Sequence, residues 1–112
     1  MAALTVTTAT TVGGIADLAG AAVAAAGGGD TAPVGPGLAL VVFNGDASPH
    51  TATIATPGTV DGHAIADATL VVAAGDVGII PLTNLFRGAT GRAAITYDAV
   101  TSVTVAVIKI GA

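Results

Sequence analysis

Short runs of apolar and hydroxyl residues, broken by turn residues every 8–12 positions, set the rhythm of this chain. That is the signature of many short strands. Leu4 to Val12 reads LTVTTATTV, alternating threonine with apolar residues, and predicts a first strand ended by Gly13-Gly14. The following IADLAGAAVAAAGGGD is alanine-rich. Alanine favours helix, whereas Gly20 weakens one and Gly27-Gly28-Gly29 stops it. One or two helical turns, or an extended arm, are expected there. Thr31 to Gly37 carries two prolines and two glycines and reads as a loop.

Leu38 to Phe43 (LALVVF) is continuously apolar, as in a strand covered on both faces. Asn44-Gly45-Asp46 is a strong turn signal. His50 to Ala55 is the next strand, turned by Pro57-Gly58. Val60 to Asp67 holds a second turn at Asp61-Gly62 with room for a short strand. Thr69 to Ala73, Val77 to Ile80 and Arg92 to Tyr97 follow as strands, and Leu82 to Gly91 has no period, which suits a functional loop. Thr101 to Ile110 is the longest strand. Val103, Val105 and Val107 share one face and Ala106 and Ile108 the other, so it is expected to be central. Seven or eight short strands so spaced predict an all-β antiparallel β-sandwich, jelly-roll or immunoglobulin-like. One domain spans 1–112, with residues 1–37 as an N-terminal strand, Ala/Gly-rich segment and loop, and 38–112 as the main strand set.

Composition supports the β reading. Fourteen valines, eight isoleucines and seven leucines stand against two phenylalanines, one tyrosine and no tryptophan, so the core is aliphatic and β-branched. Hydrophobic residues make up 53% of the chain and charged residues 9%. Ten charged side chains cannot cover the roughly 5,400 Å² a chain of this mass exposes. The remainder must be threonine, small residues, backbone, or apolar surface buried against a partner, and large exposed apolar patches usually mark interaction sites.

The net charge is −4, and the only cations are Arg87, Arg92 and Lys109. That excludes the basic footprint of a nucleic-acid binder and argues against an anionic membrane surface. Without cysteine there is no disulfide framework and no thiolate metal site. The charge-free run Leu18 to Gly29 is too short to cross a bilayer. It also lacks the basic region of a signal peptide, so a cytosolic origin is expected.

Candidate chemistry is thin. Asp46, Ser48 and His50 are the residue types of a hydrolase triad, but a triad needs the histidine between serine and aspartate beside an oxyanion hole. A capped turn, with Pro49 leading into the next strand, is the plainer reading. Asp61, His63 and Asp67 offer oxygen and nitrogen ligands without fixed number or geometry, and a solvated turn is favoured. Gly27-Gly28-Gly29 is followed by Asp30 and fails the phosphate-loop pattern. Lys109 invites an isopeptide bond to Asn44 or Asn84; a stem lying along apolar surface with its ammonium in water is simpler. Arg87 and Arg92 flank the irregular loop beside Phe86, where arginine pairs with carboxylates of another chain.

The stretch VVFNGDASPHTATIATPGTVDGHAIADATLVVAAGDVGIIPL, with GRAAITYDAVTSVTVAVIKI, resembles small head structural proteins of actinobacterial tailed phages. The similarity runs from about Gly27 to Ile110. Its most specific parts are Asn44-Gly45-Asp46 with Pro49-His50-Thr51, Thr59-Val60-Asp61-Gly62, and Thr101-Ser102-Val103-Thr104-Val105. The chain departs from many relatives at Val34-Gly35-Pro36-Gly37, where they carry an asparagine turn, and at Ala73, where they carry proline. The resemblance implies a capsid decoration (cement) protein: a non-enzyme without cofactor or metal, made in the host cytoplasm and carried on the virion. It would stabilise the shell by binding the major capsid protein and itself, with a homotrimer favoured. Interface residues expected on this reading are Leu4, Val6, Leu85, Phe86, Arg87 and Arg92, with Leu4 to Val12 as an arm that adds a strand to a neighbour. The alternatives are a virion-exposed module for host-surface carbohydrate, for which three aromatics are a meagre supply, and a small hydrolase built on Ser48 and His50.

Overall fold

In the computed structural model, which describes residues 2–110, strands hold 47% of the chain and helical turns 6%, so the class is β. The strands are β1 (Ala2–Ala3), β2 (Val6–Ala9), β3 (Val23–Ala24), β4 (Asp30–Pro33), β5 (Leu38–Asn44), β6 (His50–Ile54), β7 (Thr59–Val60), β8 (His63–Ala64), β9 (Ala68–Val72), β10 (Val77–Pro81), β11 (Arg92–Tyr97) and β12 (Val103–Ile110). One helical turn, α1 (Leu18–Ala21), precedes β3, and a 3₁₀ turn spans Asn84–Phe86. The Asp17 carboxylate caps α1 by accepting from the Gly20 N–H at 3.0 Å.

The first sheet has the order β1-β4-β11-β6-β9 and the second β10-β5-β12-β2, with β3 also beside β12. β7 and β8 form a separate hairpin. Pairing is antiparallel except where β1 meets β4 and β2 meets β12. As its two apolar faces predict, β12 is central, with β5 along one side and β2 and β3 along the other.

One hydrophobic cluster draws on the inner faces of both sheets: Ala32, Ala52, Ile54 and Ile95 from the first, Leu40, Val42, Val105 and Val107 from the second. Complete burial of Leu40 or Ile54 contributes about 1.5–3 kcal/mol each by removing aliphatic surface from water. Where β10 passes β9 the spacing is tight. A Cβ on Gly78 would stand 3.0 Å from the Val72 side chain and 3.2 Å from that of Leu70.

The outer faces of the two sheets differ. Thr31, Thr51, Thr53, Thr69 and Thr96 stand on the outside of the first sheet, opposite the inward Ala32, Ala52, Ile54 and Ile95. On the outside of the second, Ala39, Val41 and Ile108 form a small cluster beneath Ile15, Leu18 and Phe43. The continuous apolar run in β5 is thereby explained, since each of its faces meets apolar neighbours. Val77 and Ile79 on β10 share that outer face, and each is 57% exposed.

Three sequence expectations are corrected. The first strand expected at Leu4 to Val12 is shorter than that: only Val6 to Ala9 (β2) is strand, in the second sheet, and Leu4 and Thr5 carry the chain across to it from β1 in the first. A period of two cannot say which sheet a residue pairs with. Thr31 to Gly37 is not all loop, since β4 takes Asp30 to Pro33 and pairs with β11. Pro33 is tolerated as its last residue. The last strand starts at Val103, because Ser102 has φ 57° and turns the chain.

Candidate functional site

One end of the two sheets gathers the turn after β5, the turn between β9 and β10, and the turn between β11 and β12. Asn44, the last residue of β5, is 2% exposed and organises the first two, while its neighbour Gly45 reaches the third. Its side-chain N–H groups donate to the carbonyls of Ser48 (2.8 Å), Val72 (3.0 Å) and Ala73 (3.3 Å). Its side-chain oxygen accepts from the Asp46 N–H at 3.0 Å. Its own backbone N–H donates to the Asp76 carbonyl, and the Gly45 N–H donates to the Ser102 carbonyl at 2.9 Å.

Beside it, the buried His50 ring lies between two carboxylates, Nε2 at 2.8 Å from Asp46 and Nδ1 at 3.2 Å from Asp98. Only the imidazolium donates at both nitrogens, so the site favours the charged ring. The hydrogen bond to Asp46 raises the His50 pKa above its ordinary value; burial opposes this, and Asp98 adds to it. The Asp46 pKa is lowered, first by His50 and then by the Ala47 N–H. That of Asp98 is lowered first by the Thr51 N–H, with the Ala99 N–H and His50 contributing.

The candidate triad is therefore not assembled as a triad. His50 is held between two acids, and the exposed Ser48 takes part through its backbone carbonyl. The capped turn is what the geometry contains, with Asp46 accepting from the Ala47 N–H at 2.8 Å. Asp98 lies 48 positions from His50, so no local motif could have disclosed it.

Asp61 and His63 sit on the exposed β7–β8 hairpin, whereas Asp67 accepts from the Thr56 N–H at 2.9 Å. Among the described residues no group of three His, Cys, Asp or Glu stands close enough to hold a metal. A Lys109–Asn44 isopeptide bond is excluded by register. Lys109 pairs with Leu38 and Asn44 with Val103, at opposite ends of the β5–β12 ladder.

The six residues expected at an interface separate into two groups. Val6, Leu85 and Arg87 are exposed. Leu4 and Phe86 are buried in the chain's own core, at 5% and 6% exposure, and Arg92 is half-buried. The Arg92 guanidinium donates to the Leu4 carbonyl, the Thr31 carbonyl and the Thr31 hydroxyl. Those bonds fasten the N-terminal crossing to the first sheet.

At the other end of the sheets an open cleft of about 420 Å³ is lined by Gly35 to Ala39, Pro81, Thr83, Asn84 and Ile110. No aromatic ring lines it. Phe86 is buried, and Tyr97, half-buried, donates its hydroxyl to Asp30 at 2.7 Å. Burial, and then this bond, push the Tyr97 pKa up. No protein-family model, curated protein or solved structure matches this chain.

Proposed function

We propose that this chain is a β-sandwich structural protein that works by packing one apolar face against a partner, as a capsid decoration protein would on a major capsid protein shell. The observation that carries this reading is the asymmetry of the two outer faces. One displays threonine hydroxyls around a single exposed valine, Val71. The other carries no charged side chain on its strands, and only its middle is roofed, by Ile15 and Leu18. A strip of edge strand with Val77 and Ile79 more than half exposed suits an interaction surface.

Strand order favours the jelly-roll form of the sandwich. From β4 to β12, setting the small β7–β8 hairpin aside, every connection changes sheet except the one from β6 to β9. A jelly roll alternates in this way, whereas immunoglobulin-like domains keep several hairpins within one sheet. Self-association as a closed homo-oligomer, with a trimer favoured, gives a further route to covering the apolar face. The resemblance to phage head proteins supports a virion location after synthesis in the host cytoplasm. The carbohydrate alternative has less support, because the aromatic rings are occupied within the fold. A non-enzymatic role fits the arrangement at His50, where no nucleophile stands against the imidazole.

The test is to heat capsids with and without the protein and to repeat the comparison with Val77→Lys/Ile79→Lys. The wild-type chain should raise the disruption temperature of the shell and the double variant should not. Equal stability with and without the wild-type chain would remove the stabilising role.

A further inference from the structure

We infer that the Asn44–Gly45 peptide is a modification site gated by the fold: sealed against deamidation while this end is closed, and deamidated when it opens. In an asparagine–glycine pair the glycine nitrogen loses its proton to solvent base and attacks the asparagine side-chain carbon. The bond from that carbon to Nδ2 breaks and ammonia leaves. Water then opens the resulting succinimide at either carbonyl, giving an aspartyl or an isoaspartyl residue. Glycine is the following residue that hinders the attack least, having no side chain.

Both reacting groups of Asn44 and Gly45 are engaged. The nucleophile, Gly45 N–H, is tied to the Ser102 carbonyl at 2.9 Å. The leaving amide shares its two protons among three carbonyls, of Ser48, Val72 and Ala73, and its oxygen holds the Asp46 N–H. At 2% exposure the side-chain carbon is closed to the water that the reaction consumes. The Asn44 N–H bond to the Asp76 carbonyl, together with β5 pairing to β10 and β12, holds the backbone in extended form.

The chemistry runs one way. A carboxylate at position 44 has no proton to give, and three carbonyl oxygens already face it at hydrogen-bond distance. An isoaspartyl linkage also adds a main-chain atom to β5 and breaks its register. Opening of this end, once followed by reaction, becomes permanent.

The sequence supplies a clean readout. It contains no glutamine, and its only other asparagine, Asn84, precedes the branched Leu85. The full chain is incubated at mildly alkaline pH in native buffer and in guanidinium chloride, then analysed by peptide mass mapping. In denaturant the Asn44 peptide should gain the mass of OH in place of NH2, while the Asn84 peptide lags. In native buffer the Asn44 reaction should be at least roughly tenfold slower, since it proceeds only through the open fraction. Equal rates in the two conditions would overturn the gating. Asn44→Asp should fail to fold or should unfold at markedly lower denaturant; unchanged stability would overturn the one-way step.

Discussion

The Arg92 guanidinium donates to the main-chain carbonyl of Leu4 across 2.7 Å, joining residues 88 positions apart. That oxygen lies where the chain leaves the first sheet for the second, so its ladder partner is a side chain. Arg92→Ala is expected to cost about 1–3 kcal/mol, because a part-buried carbonyl loses a charged donor. Arg92→Lys should recover only part, having no second nitrogen to hold the Thr31 hydroxyl while the first serves the Leu4 and Thr31 carbonyls. Denaturant unfolding gives the energies. Amide hydrogen exchange should show faster exchange in residues 2–9 before the rest of the chain changes.

Leu4 itself fills the space between the sheets. Leu4→Ala should destabilise by about 2–5 kcal/mol, as large-to-small changes in a packed interior do. Val12, 90% exposed, is the contrast: Val12→Ala should fall within about 0.5 kcal/mol of the parent. Equal effects at the two positions in thermal and denaturant melts would argue that the N-terminal segment detaches in solution.

Thermal stability should depend on pH through His50, Asp46 and Asp98. The folded pKa of His50 is raised, so its contribution is complete below the unfolded value of about 6.5 and is lost as pH rises through the folded value. The folded pKa values of the two aspartates are lowered, so theirs is complete above about 3.9 and is lost as pH falls through the folded values. The melting temperature should therefore be highest between about pH 4 and about pH 6.5. Calorimetry on His50→Gln should show the alkaline decline flattened.

Tyr97 is the only tyrosine, and there is no tryptophan, so ultraviolet absorbance isolates its ionisation. With its pKa pushed up by burial and by Asp30, the folded chain should form no phenolate near pH 10, where free tyrosine titrates. Phenolate absorbance should appear together with unfolding in a circular dichroism titration. Tyr97→Phe should lower stability by about 1–3 kcal/mol, because it withdraws a donor from the fully buried Asp30.

From Leu38 onward the strands were legible in the sequence, because β5, β6, β9, β10, β11 and β12 are bounded by turn residues and patterned by burial. The both-faces-buried character of β5 and β12 could be read from unbroken apolar runs. β4 was hidden by Pro33 and its neighbours, since its strand character comes from pairing with β11 and not from local propensity. The crossing at Leu4 and Thr5 was hidden because apolar residues and threonine alternate from Leu4 into β2. At the candidate site, Asn44-Gly45-Asp46 was visible as a turn. The Asp98 partner of His50 was not, and neither were the carbonyls that Asn44 gathers, because these are contacts between distant turns.

The parallel pairing of β2 with β12 gives the molecule a mechanical property. Val6 lies opposite Val107 and Ala9 opposite Ile110, so the two strands point the same way. Tension applied at the two chain ends would draw β2 backward and β12 forward, sliding one along the other. In that shearing geometry the bonds of the ladder carry the load together, whereas a hairpin pulled at its open end gives them up one at a time. Under sustained load the lifetime of the fold is set by its unfolding rate, and a shear clamp between β2 and β12 is a place where that rate can be held down.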